Sequence, residues 1–168
     1  KYELTHETIA GAEALVRWVS PEEGMIFPGE FIPLFEKNRF IVELDLYMFE
    51  QVCKMIESWH KNGYRIIPVS VNMSRGHFLV PNFFDRYKEI LERYDVPKGS
   101  IEIELTESLF LNEISTMTDL VNKIHEVGLR CSIDDFGSGY SSLNMLKDIK
   151  VDALKLGRVF FVKTEEDK

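Results

Sequence analysis

The apolar residues of this chain change period along its length, and the changes mark out alternating strands and helices. Ala12–Trp18 reads as a strand, Gly29–Asn38 as a short helix entered through Pro28, and Asp45–Lys61 as a longer helix with Met48, Val52, Met55, Ile56 and Trp59 on one face. Asn62-Gly63 closes that helix. Arg65–Val71 is a strand, Phe83–Tyr94 a helix with Phe84, Tyr87, Ile90, Leu91 and Tyr94 inward, and Ile101–Leu105 a strand. Ser115–Val127 is a helix ended by Gly128. Strand Arg130–Ile133, a short helical piece at Ser142–Leu146 and strand Asp152–Leu156 follow it. Helices between strands predict an α/β fold with a mostly parallel sheet, because parallel neighbours need a crossover connection. No repeat or linker divides the sequence, so residues 1–168 are expected as a single domain. It opens at Lys1 and closes in the charged tail Lys163–Lys168, and both ends read as cuts.

The polar residues fall where the strands end. Asn72 follows Val69-Ser70-Val71, Glu104 and Glu107 end the next strand, Asp134 and Asp135 the one after, and Lys155 lies near the end of the last. Asn72 and Glu104 are 32 positions apart and Glu104 and Asp134 are 30, about one strand-plus-helix unit each. In a barrel such side chains converge at the carboxyl ends of the strands, where chemistry is done. Four carboxylates and an amide oxygen form a hard-oxygen set suited to Mg²⁺, Mn²⁺ or Ca²⁺ rather than zinc. His6, His60, His77 and His125 have no metal-ligand spacing. Around the acidic pair, Asp134-Asp135-Phe136-Gly137-Ser138-Gly139-Tyr140-Ser141-Ser142 is a glycine-hinged, hydroxyl-rich loop of the kind that holds a metal beside a phosphate.

Composition narrows the partners. A chain that is 45% hydrophobic can bury a substantial core, and a net charge of −8 argues against binding DNA or RNA polymers, which takes clustered Lys and Arg. Metal would have to offset that acidity for an anionic substrate. Cys53 and Cys131 read as buried reduced thiols on a helix face and a strand, which fits a cytoplasmic domain. No apolar run approaches the roughly 20 residues that span a bilayer and no signal peptide opens the chain, so no membrane contact is expected. Some local matches mislead. Asn72-Met73-Ser74 fits a glycosylation acceptor by chance, and Asp135-Phe136-Gly137 lacks the glycine-rich loop of a kinase.

Glu13-Ala14-Leu15, followed by Val16-Arg17-Trp18, resembles the name-giving motif of the EAL domain, the bacterial phosphodiesterase that cleaves cyclic di-GMP. Ser70-Val71-Asn72-Met73-Ser74-Arg75, Glu104-Leu105-Thr106-Glu107-Ser108, the Asp134–Leu143 loop and Asp152-Ala153-Leu154-Lys155-Leu156 follow in family order. The resemblance implies a modified (β/α)₈ TIM-like barrel with an antiparallel first strand, incomplete in this chain. It implies that Glu13, Asn72, Glu104 and Asp134 hold one Mg²⁺ or Mn²⁺, with Asp134 and Asp135 helping to place a second. By the same resemblance, Lys155 orients or activates the attacking water and Glu107 steadies the Asp134–Leu143 loop. Leu15 and Arg17 contact the dinucleotide, Arg17 at a phosphate. The implied product is linear pGpG, and the implied partners are a second copy of the chain and a fused diguanylate cyclase (GGDEF) or sensory domain.

One departure sets up an alternative. Family members usually carry Asp two residues after the lysine, where this chain has Gly157. Without that carboxylate Lys155 is expected to be held more loosely, and a degenerate domain acting as a cyclic di-GMP receptor or a protein-interaction module becomes the competing reading. A phosphoacceptor module of the doubly wound type is disfavoured, because its acidic pair belongs on the first strand with the lysine several strands later, and here Asp135 lies only 20 residues before Lys155.

Overall fold

The computed structural model describes residues 1–110, 114–137 and 149–158. They fall into two compact units, Lys1–Ile101 and Glu102–Lys168. The first contains β1 (Tyr2–Glu3), β2 (Thr8–Ile9), β3 (Ala12–Glu13), β4 (Trp18–Ser20), β5 (Gly24–Ile26), α1 (Pro28–Asn38), α2 (Ile41–Lys61), β6 (Val69–Asn72), a 3₁₀ turn (Arg75–Leu79) and α3 (Phe83–Leu91). β3 and β6 are parallel, with Glu13 opposite Ser70. The antiparallel pairs are the small hairpins β1–β2 and β4–β5.

Two departures in this unit have local causes. The strand expected over Ala12–Trp18 is two strands, because the chain leaves β6 after the Ala14 amide bonds the Ser70 carbonyl at 2.8 Å and then turns into the β4–β5 hairpin. There the Trp18 ring meets Phe31 and Phe35 at centroid distances of 5.7 and 5.9 Å. β6 starts at Val69 rather than Arg65, since Pro68 has no N–H to give a ladder and offers only its carbonyl, which accepts from Ala12 at 2.9 Å. The two predicted helix starts on either side differ in outcome. α1 begins at Pro28, whose fixed φ suits the first helical position. α2 begins four residues before Asp45, because Ile41 and Val42 are themselves buried.

The core of this unit lies on the inner face of α2. Val42, Leu46, Phe49, Cys53 and Ile56 recur at helical spacing and are buried against β6 and α3. Of the expected face, Val52 and Ile56 are buried, while Met48, Met55 and Trp59 are only half-buried. α3 presents Phe84, Tyr87 and Ile90, and the Phe49 and Tyr87 rings meet edge to face at 4.9 Å.

The second unit contains all but the first residue of β7 (Ile101–Thr106), then α4 (Glu107–Phe110), α5 (Ile114–Glu126), β8 (Arg130–Phe136) and β9 (Ala153–Leu156). β7, β8 and β9 pair in parallel in that order. Met117, Leu120, Val121 and Ile124 of α5 are buried, and α5 packs on β8. β8 runs three residues beyond its expected end at Ile133, so both aspartates lie within it. Asp135 has a φ of 53°, and the β8–β9 register shifts between Ile133 and Phe136. The helical piece expected at Ser142–Leu146 lies outside the described residues. Burial pushes the thiols of Cys53 and Cys131 up to about 12, so both stay protonated at neutral pH. No helix among the described residues is long and apolar enough to cross a membrane.

β9 is tied to β8 through Asp152. Its carboxylate accepts from the Cys131 amide at 2.8 Å and pairs with His125 Nε2 at 2.9 Å. Partial burial raises its pKa, but the Cys131 amide and then the His125 ring outweigh that and hold the carboxyl below its usual range. A depressed folded-state pKa means that this contribution is complete above the ordinary Asp value of about 3.9 and is lost as pH falls through the lower folded value. Asp152→Asn is therefore expected to flatten the acid limb of stability below about pH 4, read by denaturant unfolding across pH. An unchanged acid limb would show that Asp152 titrates alike in both states. In the other unit, Phe49→Ala is expected to cost about 3–5 kcal/mol of unfolding free energy, while Tyr47→Ala, at an exposed position on the same helix, stays within about 0.5 kcal/mol.

Candidate functional site

Each unit brings part of the expected constellation together. In the first, Glu13 ends β3 and Asn72 ends β6, and both side chains are exposed. The parallel register places them at the same end of the pair, where Asn72 Nδ2 donates to Glu13 Oε1 at 3.4 Å. Ser70 Oγ, fully buried, donates to the Ala12 carbonyl at 3.2 Å and helps hold the two strands in register. Leu15 is 54% exposed and packs into no core. Arg17 is exposed, its Nη1 donating to the Val16 carbonyl at 2.7 Å.

In the second unit, alternation along the strands sorts polar from apolar. On β7, Glu102, Glu104 and Thr106 share one face while Ile101, Ile103 and Leu105 share the other. The register sets Glu104 opposite Ser132 and Ser132 opposite Ala153, with Thr106 opposite Asp134 in the next row. Lys155 lies on the Ala153 face of β9. Because Ser132 and Ala153 are small, the Lys155 stem can cross this face, and its Nζ donates to Glu104 Oε2 at 2.6 Å and lies 3.5 Å from Asp134 Oδ2. Carboxylate oxygens of Glu104 and Asp134 are within 4.8 Å of each other. Glu104 is only 1% exposed, so a nearby cation is required to keep its charge in that position.

The remaining expected residues sit beside this cluster. Glu107, also buried, accepts from the Gly137 amide at 2.6 Å through Oε2. It thereby holds the start of the Asp134–Leu143 loop, whose later residues lie outside the described ones. Asp135 is exposed, and its amide donates to Asp134 Oδ1 at 3.0 Å. Gly157 donates to the Phe136 carbonyl at 2.9 Å. A Cβ on Gly157 would stand 3.2 Å from the Asp135 carbonyl oxygen and 3.3 Å from its carbonyl carbon. The glycine thus gives β9 room to approach the backbone at the position where β8 bulges.

Comparison with known proteins fits this arrangement. The family model of the EAL domain matches residues 1–168. The chain belongs to the EAL domain family. Two relatives come from Pseudomonas aeruginosa. The bifunctional diguanylate cyclase/cyclic di-GMP phosphodiesterase MucR is 32% identical over 94% of this chain, and the cyclic di-GMP phosphodiesterase NbdA is 35% identical over 89%. This EAL domain chain spans 23% and 19% of the lengths of those relatives. The solved PaMucR phosphodiesterase in complex with c-di-GMP superposes with a TM-score of 0.83 at 32% identity, covering 90% of this chain and 61% of that one. The fold is accordingly the TIM-barrel-like α/β fold of EAL domains.

Sequence reasoning passed over two side chains next to these positions. Asp45, read as a helix start, and His77, set aside for want of metal spacing, are both buried in the first unit and bonded to each other. The available signal was a lone carboxylate on the apolar stripe of α2.

Removing Lys155 tests the electrostatics of the second unit directly. Lys155→Met leaves Glu104 buried without that partner and is expected to cost about 3 kcal/mol of stability in the presence of a chelator, measured by denaturant unfolding. A loss below about 1 kcal/mol would mean that the pair is screened like a surface ion pair.

Proposed function

We propose that this EAL domain serves a metal-dependent phosphodiesterase that hydrolyses cyclic di-GMP to linear pGpG. The observation that carries the reading is the seat of Lys155, whose ammonium is held by Glu104 and Asp134 without a carboxylate at position 157. These two contacts hold Lys155 where the missing carboxylate would, which supports turnover over the receptor reading. The relatives NbdA and MucR, both named as phosphodiesterases, support the same choice.

In this proposal Glu13, Asn72, Glu104 and Asp134 hold one Mg²⁺ or Mn²⁺, and Asp134 with Asp135 helps to hold a second. Their hard oxygen donors suit such ions, and the pairing of a buried Glu104 with Asp134 around one cationic nitrogen supports their ability to share a cation. Bound there, the ions would supply Lewis-acid polarisation and neutralise the phosphodiester in an acidic setting. Lys155 donates a hydrogen bond to the attacking water and orients it for in-line displacement. The new P–O bond forms as the bond from phosphorus to the ribose 3′-oxygen breaks, and that oxygen leaves with a proton. Arg17 offers its planar fork to a phosphate, and the exposed Leu15 offers an apolar contact to the dinucleotide. Glu107 keeps the Gly137 end of the loop in place. A homodimer and a fused cyclase or sensory domain complete the proposed setting in the cytoplasm. The fusion is supported by the bifunctional name of MucR and by the small share of that relative which this chain spans.

Hydrolysis of cyclic di-GMP to pGpG by the intact protein with Mg²⁺ or Mn²⁺ is the direct test. Wild type is expected to turn over, and Gly157→Asp to gain no rate, because Lys155 is already seated and the new Cβ crowds Asp135. A gain of about 10²–10⁴-fold, the usual worth of a group that positions a reacting water, would favour the receptor reading instead. Metal titration provides an independent check. Glu104→Ala and Asp134→Ala should each weaken Mn²⁺ binding, and unchanged affinity in both would reject the ligand assignment. Arg17→Ala should cost about 1.5–3 kcal/mol of dinucleotide binding, as for a hydrogen bond to a charged group, with thermal stability unchanged.

A further inference from the structure

A buried polar network lies under the turn that follows Asn72. Asp45, on the apolar stripe of α2, accepts from the Ser74 amide at 2.7 Å and from His77 Nε2 at 3.1 Å through the same oxygen, Oδ2. His77 is fully buried, with the Tyr87 hydroxyl 3.1 Å from the same ring nitrogen and the Phe83 and Tyr87 rings at 5.5 and 5.3 Å. Replacing any of these by an apolar group of similar shape would pack as well, so burial alone does not account for an aspartate here. What the carboxylate does is grip a main-chain amide two residues past Asn72. Met73, between them, is 2% exposed. The same turn meets α2 a second time at Gly76, where a Cβ would stand 3.0 Å from Ile41 Cγ2 and 3.2 Å from Val42 Cγ2. Two contacts therefore lock the turn onto the N-terminal end of α2, one polar and one steric, and β6 ends against it.

We infer that Asp45 is a positioning residue for Asn72: by tying the Ser74 amide to α2 it sets where the Asn72 side chain stands, and so tunes the affinity of the site for a divalent cation. This rests on the proposed role of Asn72 as a ligand. Partners that orient metal ligands without touching the metal typically change affinity by 10–100-fold when removed.

The test is calorimetric titration of Mn²⁺ into the intact protein without dinucleotide. Asp45→Ala is expected to weaken binding about tenfold, at a temperature where circular dichroism shows it folded. Asp45→Asn, whose amide oxygen can still accept from Ser74, recovers most of the loss. Val52→Ala, which destabilises the same helix away from the network, leaves the affinity as in wild type. If Asp45→Ala does not fold, Ser74→Pro removes the same hydrogen bond from the donor side, at a φ of −78° that proline adopts, and should weaken Mn²⁺ binding alike. Wild-type affinity in a folded Asp45→Ala or Ser74→Pro protein overturns the inference, as does an equal loss in Val52→Ala. Asn72→Ala separates the two readings. If it too binds as wild type, the ligand assignment has failed; if it binds weakly while Asp45→Ala does not, only the positioning role has failed.

Discussion

A carboxylate held almost entirely out of water needs a positive charge beside it, and Glu104 sets that requirement for the second unit. Lys155 meets it from two strands away. That reach depends on the parallel register of β7, β8 and β9 and on small residues at Ser132 and Ala153, which leave its stem a path across the face. The consequence is a cluster whose geometry is fixed by sheet pairing rather than by flexible loops. Burial makes the charge pair strong, and it also makes the loss of either partner costly.

Beside that cluster, the chain spends backbone irregularity where the acidic pair sits. Asp135 takes a positive φ that most residues avoid, the ladder to β9 slips a residue, and Gly157 leaves space for the displaced backbone. Glu107 then takes the Gly137 amide. The bulge turns Asp134 and Asp135 to different surroundings: one half-buried against Lys155, the other exposed.

The first unit solves a different problem. Glu13 and Asn72 are exposed at strand ends, so burial does nothing to hold them, and their placement falls to the backbone beneath. The Ser70 hydroxyl on the Ala12 carbonyl and the Asp45 carboxylate on the Ser74 amide are buried or half-buried polar contacts that bracket Asn72 on either side. Here low dielectric strengthens bonds to main-chain groups, and a surface pair inherits the order.

Much of this was legible along the chain because the relevant signals are local. Alternation in Ile101–Thr106, helical spacing in α2 and α3, Pro28 at a helix start and Gly128 at a helix end depend on near neighbours, and these elements form close to where the pattern placed them. The acidic and amide residues at strand ends were likewise visible as a recurrence of about 30 positions. Tertiary structure decided what no local pattern encodes. The split of Ala12–Trp18 follows from pairing with a strand 57 positions away that begins after a proline, as Ala12 faces Val69. The anchoring of Lys155 joins residues 51 positions apart, and the Asp45–His77 bond joins residues 32 apart. Periodicity says which face of an element is apolar, but which polar group of one element meets which group of another is set by register and packing, and those exist only once the chain has folded.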